Sequence, residues 1–485
     1  MQPSYFWHDY ETFGSDPRRS KPAQFAGLRT DESLEPIADP VVWYCKPTDD
    51  LLPHPDACRI TRITPQIARR KGIPETEFAA RIHAELSTPG TCGIGYNNFR
   101  FDDEVGRHLF YRNFLDPYSR EYANGNSRLD LIDVMRMAAA LRPEGIHWPE
   151  REDGTPSFRL EDLAAANDMD TSRAHDALAD VEFTIAMARL LRKHQPRLWN
   201  WALGLRDRWN VERLLTAGKP LLHVSARYPA SSHCIAPVAV IDQHPRFRGQ
   251  WLLWDLRVDP EPFMAIDPDL LPDLLWTPAS DLPEDFQRLP VKVVRSNRAP
   301  MIAPITMLQA PGTRNLAMDP EALKTNHRWL KSNPDFVSRL RELFHPAPNG
   351  ETADPELALY DGFIPDADRR RMALVRSLEG PDLATTPIQF DDHRLETLLF
   401  RYRARNWPES LDEEEKAAWH RYRRSRLVDD EHLGGVTLAG YIERLGELDR
   451  AGELPGEVSR DLHSWLEELD PGKQWRREIG VPENP

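Results

Sequence analysis

Asp9 and Glu11 stand two residues apart in YFWHDYETFG (residues 5–14), a stretch whose other residues are mostly aromatic or β-branched. That composition reads as a buried strand. Residues i and i+2 of a strand leave the same face, so the two carboxylates point together. Two acids a few ångströms apart repel each other and resist ionisation unless a cation lies between them. Hard divalent ions such as Mg²⁺ or Mn²⁺ prefer oxygen ligands and resolve that conflict. Taken alone, the pair is equally well explained as a solvated or arginine-paired Asp-x-Glu at a strand edge.

Other acids bear on the choice. Asp102 and Asp103 follow an Asn-rich turn and open a helical segment, where capping explains them without chemistry. RAHDALADVEFT places His175 at the opening of a helix and Asp180 five residues later; a lone H-x-x-x-x-D is a common pattern. Taken together and in order, D-x-E on a first strand, an Asp about 90 residues on and H-x-x-x-x-D about 75 beyond it resemble the DnaQ-like DEDDh 3′→5′ exonucleases. The strings HDYETFG, KPAQFAGLRT, GYNNFRFDDE, DVMR, LRPEGIHWP, PSFRLEDL, AHDALADV, YDGF and LLFRYRARNWP resemble the bacterial exodeoxyribonuclease I family, and they spread over most of the chain.

The resemblance implies a processive, metal-dependent 3′→5′ exonuclease that degrades single-stranded DNA to 5′-mononucleotides in repair and recombination. It implies two Mg²⁺ ions, with Mn²⁺ as a substitute, held by Asp9, Glu11, Asp102 and Asp180, with Asp9 as the bridge. His175 is then the general base, a role suited to a near-neutral imidazole. Glu11 also meets the terminal 3′-hydroxyl through its metal, and Arg159 matches a family position near the scissile end. Alignment favours Asp102 over Asp103 as ligand, and Asp176 reads as a helix N-terminal acid. The single-stranded DNA-binding protein is the implied protein partner, with no pocket for it legible.

Single strands are held by stacking on aromatics and by arginines along the phosphates. RHLFYRNFLDPYSREY (107–122) interleaves Arg107, Tyr111, Arg112, Tyr118 and Arg120. Arg107 and Tyr118, with Arg136 of DVMR, are therefore DNA-contact candidates; an amphipathic helix with solvated arginines is the plain alternative. Arg401, Arg403 and Arg405 read either as a charged solvent face or as the wall of a DNA cleft.

These side chains need a scaffold. Residues 1–200 alternate strand-like and helix-like segments and predict an α/β domain with a mixed sheet; the resemblance implies that it is a ribonuclease H-like exonuclease domain. Residues 201–350 show short strands cut by Pro, Gly and Asp turns, predicting a small barrel that resembles the family's SH3-like domain. Residues 351–485 read as a C-terminal helical domain, reached through a linker at 345–356.

The chain has 485 residues, enough for two or three cores. No apolar run reaches a membrane span and no signal peptide is legible. Four cysteines without C-x-x-C spacing fit a cytoplasmic protein. The net charge is −15, yet residues 201–350 carry 18 basic against 16 acidic side chains and 351–485 carry 19 against 30, so a polyanion partner is not excluded. A monomer is the default expectation. Two further readings share the pattern: a proofreading or RNA-trimming relative, and a catalytically inactive nucleic-acid-binding adaptor. The relatives of the first kind are usually about 200 residues long, and the five expected catalytic side chains speak against the second.

Overall fold

A computed structural model describes residues 3–480 except 279, 311–312, 314–315, 317, 346–351 and 353. Most of the expected linker lies outside the described residues. Two compact units emerge, Met1–Ser127 with Ser172–Glu182 and Gly350–Pro485, and Arg128–Thr171 with Phe183–Asn349.

The first unit is built on strands β1 (Ser4–Thr12), β2 (Pro22–Thr30), β3 (Val41–Tyr44) and β4 (Thr91–Gly95), bonded in the order β3-β2-β1-β4. β1 runs antiparallel to β2 and parallel to β4, so the sheet is mixed as expected. Phe6, Tyr10 and Phe25 pack with Phe78 and Ile82 of the helix Glu75–Ser87, and with Val105 and Leu109 of α1 (Asp102–Arg112). The helix Pro65–Lys71 starts as its sequence predicts: Thr64 accepts from the Ile67 backbone and Pro65 takes the first position.

The C-terminal segment is helical and shares the core of this unit. Tyr441, Leu445, Leu462 and Trp465 pack against Phe13, Leu51 and Leu52. Leu359, Met372, Leu395 and Leu398 pack against Tyr111 and Phe114. The arginines expected on a solvent face or a cleft wall are instead interior. Arg401 pairs with Asp354 at 2.8 Å, Arg403 with Glu415 at 2.7 Å, and Arg405 with Asp50 at 2.8 Å and with Glu356. Asp50 is fully buried, and Arg426 and Lys21 stand 3.6 and 3.9 Å from it. Burial opposes its ionisation, but Arg405, Lys21 and Arg426 hold its carboxyl well below the usual range.

Removing that carboxylate leaves Arg405, Arg426 and Lys21 with one buried counter-charge fewer, Glu356 remaining, so Asp50→Asn will lose about 3–5 kcal/mol of stability. Urea unfolding of the variant against wild type measures it; a loss below about 1 kcal/mol would mean that solvent reaches the cluster.

The second unit holds β5 (Ser127–Asp130), whose last residue caps the helix Leu131–Leu141. It also holds a five-stranded antiparallel sheet of β6 (Leu221–Val224), β7 (Ile235–Gln243), β8 (Gln250–Asp255), β9 (Val291–Arg295) and β10 (Ile302–Pro304), ordered β10-β6-β7-β8-β9. Two helices, Pro320–Ser332 and Pro334–Glu342, were not expected here. Asp319 caps the first and Leu323, Leu330, Phe336 and Leu340 lie against Trp254.

Candidate active site

β1 outruns its parallel neighbour. Its ladder with β4 covers Ser4–Trp7 only, and β4 ends at Gly95. Beyond that point the edge of β1 exposes backbone groups that need partners. The Tyr10 N–H is taken by the Asp102 carboxylate, Oδ1 at 3.0 Å. That bond ties the start of α1 to the stretch of β1 carrying Asp9 and Glu11. The β1–β2 register shifts between Glu11 and Thr12, an irregularity of the kind found where a sheet re-aims side chains.

Asp180 arrives from the first turn of α2 (Ala177–His194). Carboxylate oxygens of Asp9, Glu11 and Asp180 lie within 4.8 Å of one another. Asp102 is buried and close enough to raise the titration of both Asp9 and Glu11. Burial pushes the Asp9 carboxyl well up, and Asp102, Glu11 and Asp180 push it further. Burial, then Asp180, Asp102 and Asp176, do the same to Glu11. Asp102 is pushed up to about 7, chiefly by burial, against the hydrogen bond from Tyr10. Asp180 is pushed up to about 6 by burial, partly offset by the charge and backbone of His175. An all-oxygen set of mutually repelling acids fits hard divalent cations and suits neither zinc–thiolate nor haem chemistry.

His175 is exposed, in the turn before α2, with φ of 67°. Asp176 accepts from the Ala179 backbone at 3.2 Å, the helix-terminal role expected of it. Asp103 turns away from the acids and pairs with buried Arg120 at 2.7 Å, which separates it from Asp102.

The expected DNA contacts divide. Arg107 is 3 % exposed and its guanidinium is held by Glu104 at 2.5 Å and Glu121 at 2.8 Å, so it has no face left for a phosphate. Arg112 pairs with Glu75 at 2.8 Å and is equally internal. The reason is that α1 is buried on nearly every side. Arg136 is likewise buried, paired with Asp133 at 2.6 Å and lying over the Phe158 ring. Arg159 is exposed, beside Glu161. Tyr118 is half-buried among other rings, two of them in the C-terminal segment, Tyr360 and Phe363. Sequence reading gave those two no role, although YDGF was a legible string.

The acids imply a pH effect on stability. Unfolded carboxyls titrate near 4, whereas Asp180 and Asp102 titrate near 6 and 7 when folded. Between about pH 4 and 7 these two carboxyls therefore hold extra protons in the folded chain, and their contribution to stability falls as pH rises through that window. In EDTA the wild type will lose melting temperature relative to Asp102→Asn between pH 5.5 and pH 7.5, a comparison in which the opposing effect of His108 and His223, whose imidazoles burial pushes down to about 4 and about 3, cancels. A divalent cation will restore more stability at pH 7.5 than at pH 5.5. Melting scans at the two pH values, with and without the ion, check this; equal cation effects at both would contradict it.

Family models match along the chain: an exonuclease model over residues 6–188, an Exonuclease I SH3-like domain over 206–346 and an Exonuclease I C-terminal domain over 353–469. The exodeoxyribonuclease I of Escherichia coli (strain K12) is 45 % identical over 448 residues, 92 % of this chain and 93 % of that protein. A crystal structure of E. coli exonuclease I with a dA16 oligonucleotide is similar at a TM-score of 0.90 and 42 % identity, covering 96 % of this chain and 100 % of that one. A structure described as an ExoI/SSB-Ct complex is similar at a TM-score of 0.87 and 40 % identity, covering 97 % and 99 %.

Proposed function

The chain belongs to the exodeoxyribonuclease I family, and from that premise we infer that it removes 5′-mononucleotides processively from the 3′ end of single-stranded DNA. Single-stranded DNA and the single-stranded DNA-binding protein are its partners, and repair and recombination are its setting. The observation that carries the chemistry is the convergence of Asp9, Glu11 and Asp180 on one spot, with Asp102 against the same strand.

Divalent ions serve the reaction, and we assign them as two Mg²⁺, replaceable by Mn²⁺. Held by Asp9, Glu11, Asp102 and Asp180, such ions would supply Lewis-acid activation of a water and charge stabilisation for the leaving 3′ oxygen. The protein supplies the rest. Asp9, Glu11, Asp102 and Asp180 offer fixed oxygens, repelled by one another and so poised for cations. His175, on a solvent-facing turn, accepts the proton of the attacking water. Arg159, exposed ahead of the helix Leu160–Ala166, remains our assignment for the scissile end. Arg107 and Arg136, buried and paired with acids of this chain, do not serve as phosphate contacts. We read 1–200 as the catalytic segment, 201–350 as the SH3-like segment and 351–485 as the helical segment. Four cysteines that remain free thiols support a cytoplasmic location, and among the described residues no helix is long and apolar enough to cross a membrane.

Labelled single-stranded DNA, duplex DNA and RNA, each with Mg²⁺ or with EDTA, test the reading. Metal-dependent shortening of single-stranded DNA from its 3′ end is expected. Faster loss of RNA would favour an RNA-trimming enzyme, and no product with any metal would leave a binding protein.

A further inference from the structure

We propose that Tyr118, Tyr360 and Phe363 form a stacking rung for bases of the single strand a short way 5′ of the bond being cut; this rests on the exonuclease reading above. Phe363 is 85 % exposed and Tyr360 45 %. A lone exposed aromatic needs no explanation, but these belong to a group. Tyr118 lies with its ring centroid 6.5 Å from both.

The group is braced rather than loose. The Tyr360 hydroxyl donates to Glu104 and accepts from Arg107 Nη1 at 3.3 Å. The His108 ring meets Tyr360 edge-on at 6.0 Å. Arg107, spent on Glu104 and Glu121, lies 5.7 Å from the Tyr118 ring centroid and so stiffens the rung. Rigid rings lose little entropy when a base stacks on them, the preorganisation that makes such contacts productive.

Charge decides the occupant. The guanidinium of Arg18 lies 5.6 Å from the Tyr360 ring centroid. Arg369 and Arg376 line the cavity, about 250 Å³, that Phe363 borders. Rings interleaved with arginines fit a strand of bases and phosphates better than an apolar peptide. Position fits too. Glu104, which holds Tyr360, sits two residues from Asp102 on α1, about 3 Å of helix rise. The same helix therefore presents one acid to the chemistry and braces the rung, fixing the spacing between the cut and the stacked bases.

Binding of dye-labelled dT16 in EDTA, followed by fluorescence anisotropy, tests this without cleavage. Stacking is worth about 1–3 kcal/mol per base, so Phe363→Ala will weaken binding about 5- to 150-fold, and Phe363→Trp will hold it within about threefold. The same change will matter little for dT3, which is too short to engage both the rung and the cut site. Arg18→Ala will flatten the slope of log K against log salt by about 0.7. Phe363 is a surface residue, so an unchanged melting temperature will separate lost stacking from lost folding. Wild-type affinity for dT16 in Phe363→Ala overturns the rung while metal-dependent cleavage by the wild type leaves the exonuclease reading standing. Failure of the wild type to bind or cut single-stranded DNA overturns both.

Discussion

Asp9→Asn will cut strand hydrolysis by at least about a thousandfold in kcat and will raise the melting temperature of the metal-free protein. Both effects come from one carboxylate. After burial, the titration of Asp9 is raised by all three of the other proposed ligands, Asp102, Glu11 and Asp180. Asn keeps its shape and removes its charge, so cations lose an anchor. Charge stabilisation by a bound metal is worth several kcal/mol of barrier, and each 1.36 kcal/mol is tenfold in rate. The neutral amide also ends part of the mutual repulsion that destabilises the cation-free fold. Gain of stability with loss of turnover is the signature of a site strained for its work. Turnover on labelled single-stranded DNA and melting in EDTA measure the two halves. A variant retaining more than a tenth of wild-type kcat would remove Asp9 from the chemistry.

His175→Ala will slow turnover by about 10²–10⁴-fold while changing the affinity for dT16 in EDTA by less than about threefold. His175 is exposed, on the turn that leads into the helix carrying Asp180. Its φ of 67° is uncommon for a residue with a Cβ. Asn tolerates that conformation better than Ala, so His175→Asn controls for backbone strain: it will be as slow as the Ala variant. Equal loss of affinity and rate would make His175 a DNA contact instead of a base.

The acidic strand is legible in the sequence because strand periodicity is local: Asp9 and Glu11 share a face whatever surrounds them. Asp180 and His175 were reached through ordered spacing, and the fold brings Asp180 to the pair. What was not legible is which arginines are internal. An arginine on a helix reads as solvated unless its acid partner is known, and several of the partners here are remote. Arg107 and Arg112 find theirs 14 and 37 residues away, and Arg405 finds Asp50 at a separation of 355. The helices at 320–342 escaped for a milder reason. Their start carries Asp-Pro, a strong initiation signal, but the strands before them set the expectation of more strands. The aromatic rung escaped because Tyr118 is separated from Tyr360 and Phe363 by some 240 residues.

That long separation of Asp50 from its arginine counter-charges governs how the protein is born. A chain leaves the ribosome at about 5–20 residues per second, so roughly 20–70 s pass between synthesis of Asp50 and of Arg405. Through that interval the nascent catalytic sheet has neither the guanidinium that neutralises its buried acid nor the helices that cover Phe13, Leu51 and Leu52. The newborn N-terminal third must wait for the tail, and a message broken before its last quarter yields a sticky polypeptide rather than a smaller nuclease.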